Sequence, residues 1–370
     1  MMKINIALKL LIVSAVRAMG GQAVINGVMM RGEEKYAVAV RRMDESIDVK
    51  TFDVPTFAKK FQKVPFLRGV MMLGEAMALG YRALMHSANL QMKDEETRIA
   101  AEEAGLDISP AKLSGEELSF EESSETSNPV PSDSADEEKP LSKWVVGISV
   151  IFSIVFFVSM FKVGPLLFAN WIRDIFGLTK WSGFIVESVF RLSLFIGYLY
   201  IISLAKDIKR VFQYHGAEHK AIAAYENDVV LTPQAAQQFT TAHVRCGTNF
   251  LLIVMVMSVF FYAGVELIFP DLSFLWILFS RIFGIVVLAG VSYEIIRAAS
   301  FKMGNFMTRA IVWPGLQLQK VTTRAPSDDQ CEVAIVSLKA VFSTEQTQEV
   351  ESRTNVAAQP SWQILEPISS

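Results

Sequence analysis

The sequence predicts a mainly α-helical polytopic membrane protein, with about four transmembrane helices and a small N-terminal β-containing cytoplasmic unit. Three observations predict it. Of 370 residues, 51% are hydrophobic and 20% charged, and mean hydropathy is +0.33, too apolar for an ordinary soluble chain of this length. Four stretches approach the roughly 20 apolar residues that cross a hydrocarbon core of about 30 Å. Ahead of them, two runs alternate apolar and polar residues with the period of a strand.

The elements follow in order. Residues 1–19 hold an apolar run from Ile4 to Val16 among Lys3, Lys9 and Arg17. No small-residue cleavage site follows, so they are read as an amphipathic extension, with an uncleaved fifth span as the alternative. Residues 20–63 form the β-containing unit. A glycine-containing stretch, Gly20–Gly32, precedes two β-type runs, Lys35–Arg41 and Ile47–Val54, joined by a polar turn at Met43–Ser46. Residues 64–90 are apolar at helical period and read as an interfacial helix. Arg68, Glu75, Arg82 and His86 fall on one stripe of it, either a wet face or a polar face turned toward a site.

Residues 91–140 carry 15 Asp and Glu against 4 Lys and Arg, a balance of −11 in a chain of net charge −3, so the remainder is basic at about +8. With Phe120 as their one aromatic, they read as a disordered acidic linker, though Glu95–Gly105 can extend the helix before them.

Residues 141–205 hold the first two spans, Trp144 to about Phe161 with Ala169 as the alternative end (Gly164-Pro165 breaking it) and about Gly183–Ala205. Residues 248–298 form a tight hairpin of the other two, about Thr248–Phe269 and Phe274–Ala298. Lys206, Lys209, Arg210, Lys220 and Arg245 lie between the pairs, against Lys162, Arg173 and Lys180 on the opposite side. The positive-inside rule then makes both termini and the 206–247 loop cytoplasmic. Residues 299–342 are a C-terminal cytoplasmic helical segment, with a capping box at Ser327–Gln330 opening a helix over Val333–Phe342. Residues 343–370 are a polar, disordered tail.

Two cysteines, Cys246 and Cys331, exclude a disulfide scaffold. Three of the four histidines fall in the 206–247 loop. On a helix, His215 and His219 project from one face a turn apart, with Glu218 beside them: the His-x-x-Glu-His pattern of inverted zincins. His243 and Cys246 add a second cluster. The expected site is a divalent metal, zinc by preference, on His215, His219 and His243, with Cys246 as an optional thiolate and Glu218 as general base. Cys246 is as readily a buried thiol. Glu226 and Glu294 are possible oxygen ligands. Glu187, Arg191 and Arg281 lie within spans and read as a charge cluster holding helices together, with an ion pathway as the alternative.

These residues carry a family resemblance. Gly20–Gly32, Pro65–Gly69, Lys206–Lys220, His243–Thr248, Ser292–Glu294 and Val321–Pro326 resemble motifs of the YqhQ-like membrane proteins, the DUF1385 family. The likeness spans about residues 20–90 and 141–342. It implies a bacterial cytoplasmic (inner) membrane protein described as a predicted metal-dependent enzyme, without an established substrate. That label rests on the same His/Glu/Cys motif. Family members commonly carry Glu where this chain has Asn26, which makes Asn26 a poor choice for an essential acid.

Function is then expected to be that of a membrane-embedded metal-dependent hydrolase, acting at the cytoplasmic surface on a peptide or lipid-linked substrate. The alternative is a non-enzymatic assembly or insertion factor, its metal structural and its basic surface binding anionic lipid, ribosomal RNA or an acidic protein. The bilayer is an expected partner under either, beside a protein or lipid-linked substrate, and no sequence-specific nucleic acid binding is expected. A transporter is weaker: four spans are few, and no internal repeat is seen.

Overall fold

The computed structural model describes residues 19–55, 57–103, 143–301 and 306–351. The 1–18 extension, most of the acidic linker and the end of the tail lie outside them. The chain divides into two compact units. One draws its described residues from Met1–Ser114, Leu199–Phe261 and Phe283–Ser370, the other from Gly115–Tyr198 and Tyr262–Ile282.

The first unit is built on an antiparallel meander of four strands in sequence order: β1 (Gly20–Val24), β2 (Gly27–Arg31), β3 (Lys35–Arg41) and β4 (Ile47–Asp53). β1 and β2, not expected as strands, pair from Gly20↔Arg31 to Val24↔Gly27. Two effects hid them. Gly20, Gly21 and Gly27 are weak strand formers. β2 also lacks alternation because both its faces are buried. Ile25 and Asn26 make the two-residue connection, and Asn26 takes a φ of 53°, which Asn tolerates better than most side chains. Its side chain donates to Gln91 Oε1, so Asn26 is a turn residue here.

Val28, Met30, Ala37 and Ala39 face one layer of helices, while Met29, Tyr36, Val38 and Val40 face the other. On the second face lies α1 (Leu67–Glu103), through Leu79 and Ala83. It continues past Leu90 into the acidic stretch, where Asp94 is buried and bonds Arg42 and the Met43 amide. On its polar stripe, Glu75 pairs with Arg31, Arg68 with Glu294, and His86 lies 3.4 Å from Asp48. Only Arg82 is exposed, so the stripe is chiefly an ion-pair seam. The start of α1 is pressed close at Gly69, where a Cβ would come within 2.6 Å of the Tyr293 side chain.

The second unit holds α2 (Lys143–Val158), α3 (Gly164–Phe176) and most of α4 (Lys180–Ile202). Gly164-Pro165 does not end the first span. A π-helical turn, Ser159–Val163, absorbs the proline, the Gly164 amide bonding Ser159 O, and Pro165 sits in the first turn of α3 where a missing N–H is tolerated. Phe168 stacks on Phe190 at 4.0 Å between centroids, joining α3 to α4.

Further along come α5 (Lys206–Glu226), the short α6 (Pro233–Gln237), α7 (Gly247–Ile268), α8 (Phe274–Phe301), α9 (Phe306–Thr322), α10 (Asp328–Lys339) and α11 (Thr344–Glu351). Segments Gly147–Phe176, Trp181–Ile202, Gly247–Ile268 and Leu275–Ala299 are long and apolar enough to cross a membrane. The first face of the sheet packs on α5 and α10, whose Ser337 Oγ accepts from Met30 N and donates to Ala37 O, both at 3.1 Å. The expected tail opens with α11, because Ser343 and Gln346 form a second reciprocal cap.

Candidate metal centre

The site begins with a helix of small and apolar residues. From Tyr214 to Tyr225, α5 is almost wholly buried against the sheet and α10. The segment joining α9 to α10 crosses α5 at Gly216. A Cβ there would strike Arg324 O, and Arg324 N donates to Phe212 O at 2.9 Å. That close crossing brings the end of α9 to His215. Its Nδ1 lies 2.8 Å from Thr322 O, and its Nε2 lies 3.2 Å from Cys246 Sγ. One turn on, His219 Nδ1 bonds Thr241 O, and its ring centroid is 4.4 Å from that of His215.

Candidate donor atoms of His215, His219 and Cys246 all lie within 4.8 Å of one another. A carbonyl only accepts, so both Nδ1 atoms carry protons and both Nε2 atoms become the ligating nitrogens of neutral rings. Two imidazoles with tautomers fixed in advance and one thiolate form a donor set suited to zinc. On that chemistry the residues present fit a divalent ion.

His243, the third ligand expected from sequence, is not in this triangle. Its ring stands 5.4 Å from His219, and its Nε2 is 3.7 Å from Glu226 Oε2. Cys246 occupies the third corner. Gln319, only 1% exposed, fixes this segment: its amide accepts from His243 N and donates to His243 O, both at 2.8 Å. Asn249 Nδ2 holds Val244 O at 2.9 Å. Glu226 is paired with Arg245, and Glu294 with Arg68 and the Phe66 amide, so neither proposed oxygen ligand joins the cluster.

Glu218 lies on the same turn as the two histidines and is 5% exposed. β1 covers it closely: a Cβ on Gly21 would fall 2.9 Å from Glu218 Cγ. Burial raises the Glu218 carboxyl, against the lowering effect of His219 and His215. Burial lowers His243. Burial would also lower His215, but the charge and hydrogen bond of Cys246 outweigh it and raise the ring to about 9. Burial would raise Cys246, and the two histidines instead bring it well below the ordinary thiol value. Both shifts favour charge on the pair, His215 toward imidazolium and Cys246 toward thiolate. Lys220 takes no part, since its Nζ donates to Gln237 O and Phe239 O.

Sequence reasoning missed Thr241, Gln319 and Thr322, the groups that aim the donors. Thr322 lies within a motif of the resemblance and Thr241 just ahead of another, but nothing local says that their carbonyls meet histidine rings.

Fold and site define a class: a mainly helical protein with, among the described residues, four helices apolar enough to cross a membrane and a His–His–Cys donor cluster. Within that class, the chain belongs to the family described as Protein of unknown function (DUF1385), whose model matches residues 64–344. That range contains all three donors and begins after the sheet. The chain is also 34% identical over 333 residues, 89% of its length and 93% of the relative's, to the Uncharacterized protein YqhQ of Bacillus subtilis (strain 168). No solved structure matches it.

Proposed function

We propose that the protein is a metal-dependent enzyme of the hydrolase class, embedded in the bacterial cytoplasmic membrane. Its site would face the cytoplasm, with both termini on that side. The observation that carries the reading is a buried carboxylate, Glu218, on the same helical turn as two of three donors whose chemistry suits zinc. When bound, the ion would supply Lewis acidity and lower the pKa of water to about 7. Glu218 would take the proton, while Thr322 and Thr241 orient the rings. A peptide or a lipid-linked molecule suits a site next to four apolar helices in sequence. The Lys and Arg distribution supports the sidedness.

A second reading is favoured by burial: His219 is 2% and Cys246 8% exposed, as in a metal that only staples α5 to the start of α7. The membrane protein would then be an assembly or insertion factor. Glu218 separates the two readings. Full-length protein purified in detergent without chelators is expected to hold about one zinc per chain. Glu218→Gln should retain it, and His215→Ala or Cys246→Ser should lose at least about tenfold. Wild type, but not Glu218→Gln, should then alter the lipid or peptide profile of membranes from a host lacking the protein. Equal change by both would end the enzyme reading and leave the staple. Absence of metal from the wild type would end both.

A further inference from the structure

α9 turns different residues to its two sides. Inward lie Val312, Leu318, Gln319 and Thr322, none more than 7% exposed. Two of them serve the donor cluster: Thr322 O faces His215, and Gln319 holds the His243 backbone. Outward lie Phe306 and Trp313, two turns apart and 76% and 58% exposed. Arg309 and Lys320, three turns apart, fall on the same side. Lys320 is exposed and Arg309 partly so. Aromatic rings with long cations beside them are the composition of a helix lying in a bilayer interface.

The chain holds α9 at the ends of three apolar segments. Phe306 follows Phe301, the end of α8, across residues 302–305, a reach of at most about 18 Å. In mid-helix, a Cβ on Gly315 would strike the Asn249 side chain, two residues past the Gly247 start of one segment. At the last turn, Thr322 Oγ1 donates to Thr248 Oγ1 at 3.4 Å. Just beyond it, Arg324 Nη2 donates to Ser203 Oγ at 3.4 Å, one residue after the segment that ends at Ile202. Successive crossings alternate in direction, so Ile202, Gly247 and Ala299 share one side of the bilayer under the proposed topology. Trp181–Ile202 and Gly247–Ile268 have 22 residues each, a length of about 33 Å against a hydrocarbon core of about 30 Å. Their ends therefore mark the boundary with the head groups. α9 is tied to that one level along its length, so its axis runs in the plane of the membrane.

The charge is one-sided as well. From Ile295 to Ser327 the sequence holds five Lys and Arg and no Asp or Glu. Cations at a membrane surface are drawn to anionic lipid.

We propose that the outward face of α9 docks on anionic lipid of the cytoplasmic leaflet, with the Phe306 and Trp313 rings below the head groups and Arg309 and Lys320 at the phosphates. This rests on the membrane placement proposed above and not on the metal. Leaflet and donors then flank one helix, about one helix diameter of roughly 10 Å apart.

The full-length protein would be reconstituted in vesicles of phosphatidylcholine and phosphatidylglycerol with chains brominated at chosen depths. Bromine quenches tryptophan on contact, and the difference between wild type and Trp313→Phe isolates Trp313 from the other tryptophans. Bromines near the head group should quench this share at least about twofold more than bromines near the chain end. Brominated phosphatidylglycerol diluted in phosphatidylcholine should quench it at least about twofold more than the converse mixture at equal bromine content. Arg309→Gln with Lys320→Gln should abolish that second difference. Stronger quenching from the chain end would overturn the in-plane helix. A Trp313 share that no lipid quenches, as a covering protein surface would give, would overturn the docking face. Equal quenching by the two lipids, or a preference kept by the double variant, would overturn the anionic partner and its cations. Trp171 and Trp276 lie on apolar segments and are over half exposed, so their quenching reports insertion itself. If Trp313→Phe shows no quenching either, the membrane reading fails and takes this proposal with it.

Discussion

The two cysteines show how far environment separates identical side chains. Cys331, on α10, is fully buried, and burial pushes its thiol up to about 11 against the opposing charge of Lys220. Cys246 is 8% exposed and held well below the usual thiol range by His215 and His219 despite its burial. The thiolate is the nucleophile, so Cys246 is the reactive one. Alkylation of native protein at neutral pH, followed by peptide mass spectrometry, should modify Cys246 well before Cys331, and saturating zinc should slow it. Equal rates, or no protection by zinc, would contradict the geometry. The same cluster shows what was legible. His215 and His219 could be paired from their spacing, because helical period alone brings them together. Whether His243 or Cys246 completes the triangle could not be read. Both lie in an irregular segment, and its path is fixed by Gln319, 76 residues away.

Elements with local signals were found, and elements defined by partners were not. The helix after Ser327 was announced by its capping box, and the structure forms it: Ser327 N donates to Gln330 Oε1 at 3.0 Å, and Gln330 N to Ser327 Oγ at 3.4 Å. The same signature at Ser343 went unused because its surroundings are polar. β1 and β2 escaped because their glycines serve close approach, Gly21 to Glu218 and Gly27 to β3, and because two-sided burial erases alternation. Cap energetics can be tested on α10, whose Val333 and Leu338 are fully buried in the core. Ser327→Ala removes one of the two bonds and should lower unfolding stability by about 1 kcal/mol, within roughly 0.5–2. Chemical denaturation in detergent measures it, and an unchanged midpoint would mean that packing alone holds the helix.

At the scale of the whole molecule, sidedness follows from counting and charge. Four candidate spans among the described residues, an even number, support the proposed placement of both ends on one side. The segment between the second and third carries Lys206, Lys209, Arg210, Lys220 and Arg245, while 269–273 carries no Lys or Arg. Retention of basic loops on the cytoplasmic side then places Asp271 outside and Lys50 inside under the proposed topology. Both positions are exposed, and labelling is read against the parent protein, whose Cys246 is itself reactive. A membrane-impermeant maleimide applied to intact cells should therefore label Asp271→Cys at once and Lys50→Cys only after permeabilisation. The reverse pattern would turn the protein over and carry the His215–His219–Cys246 cluster to the outer face, where the proposed cytoplasmic substrate could not reach it. Labelling of both in intact cells would put Lys50 and Asp271 on one side, which requires an even number of crossings between them in place of the three proposed. The first outcome is the one that the charge distribution demands, because reversing it would translocate five basic residues in a single loop of about 45 residues, within the length range over which Lys and Arg control insertion.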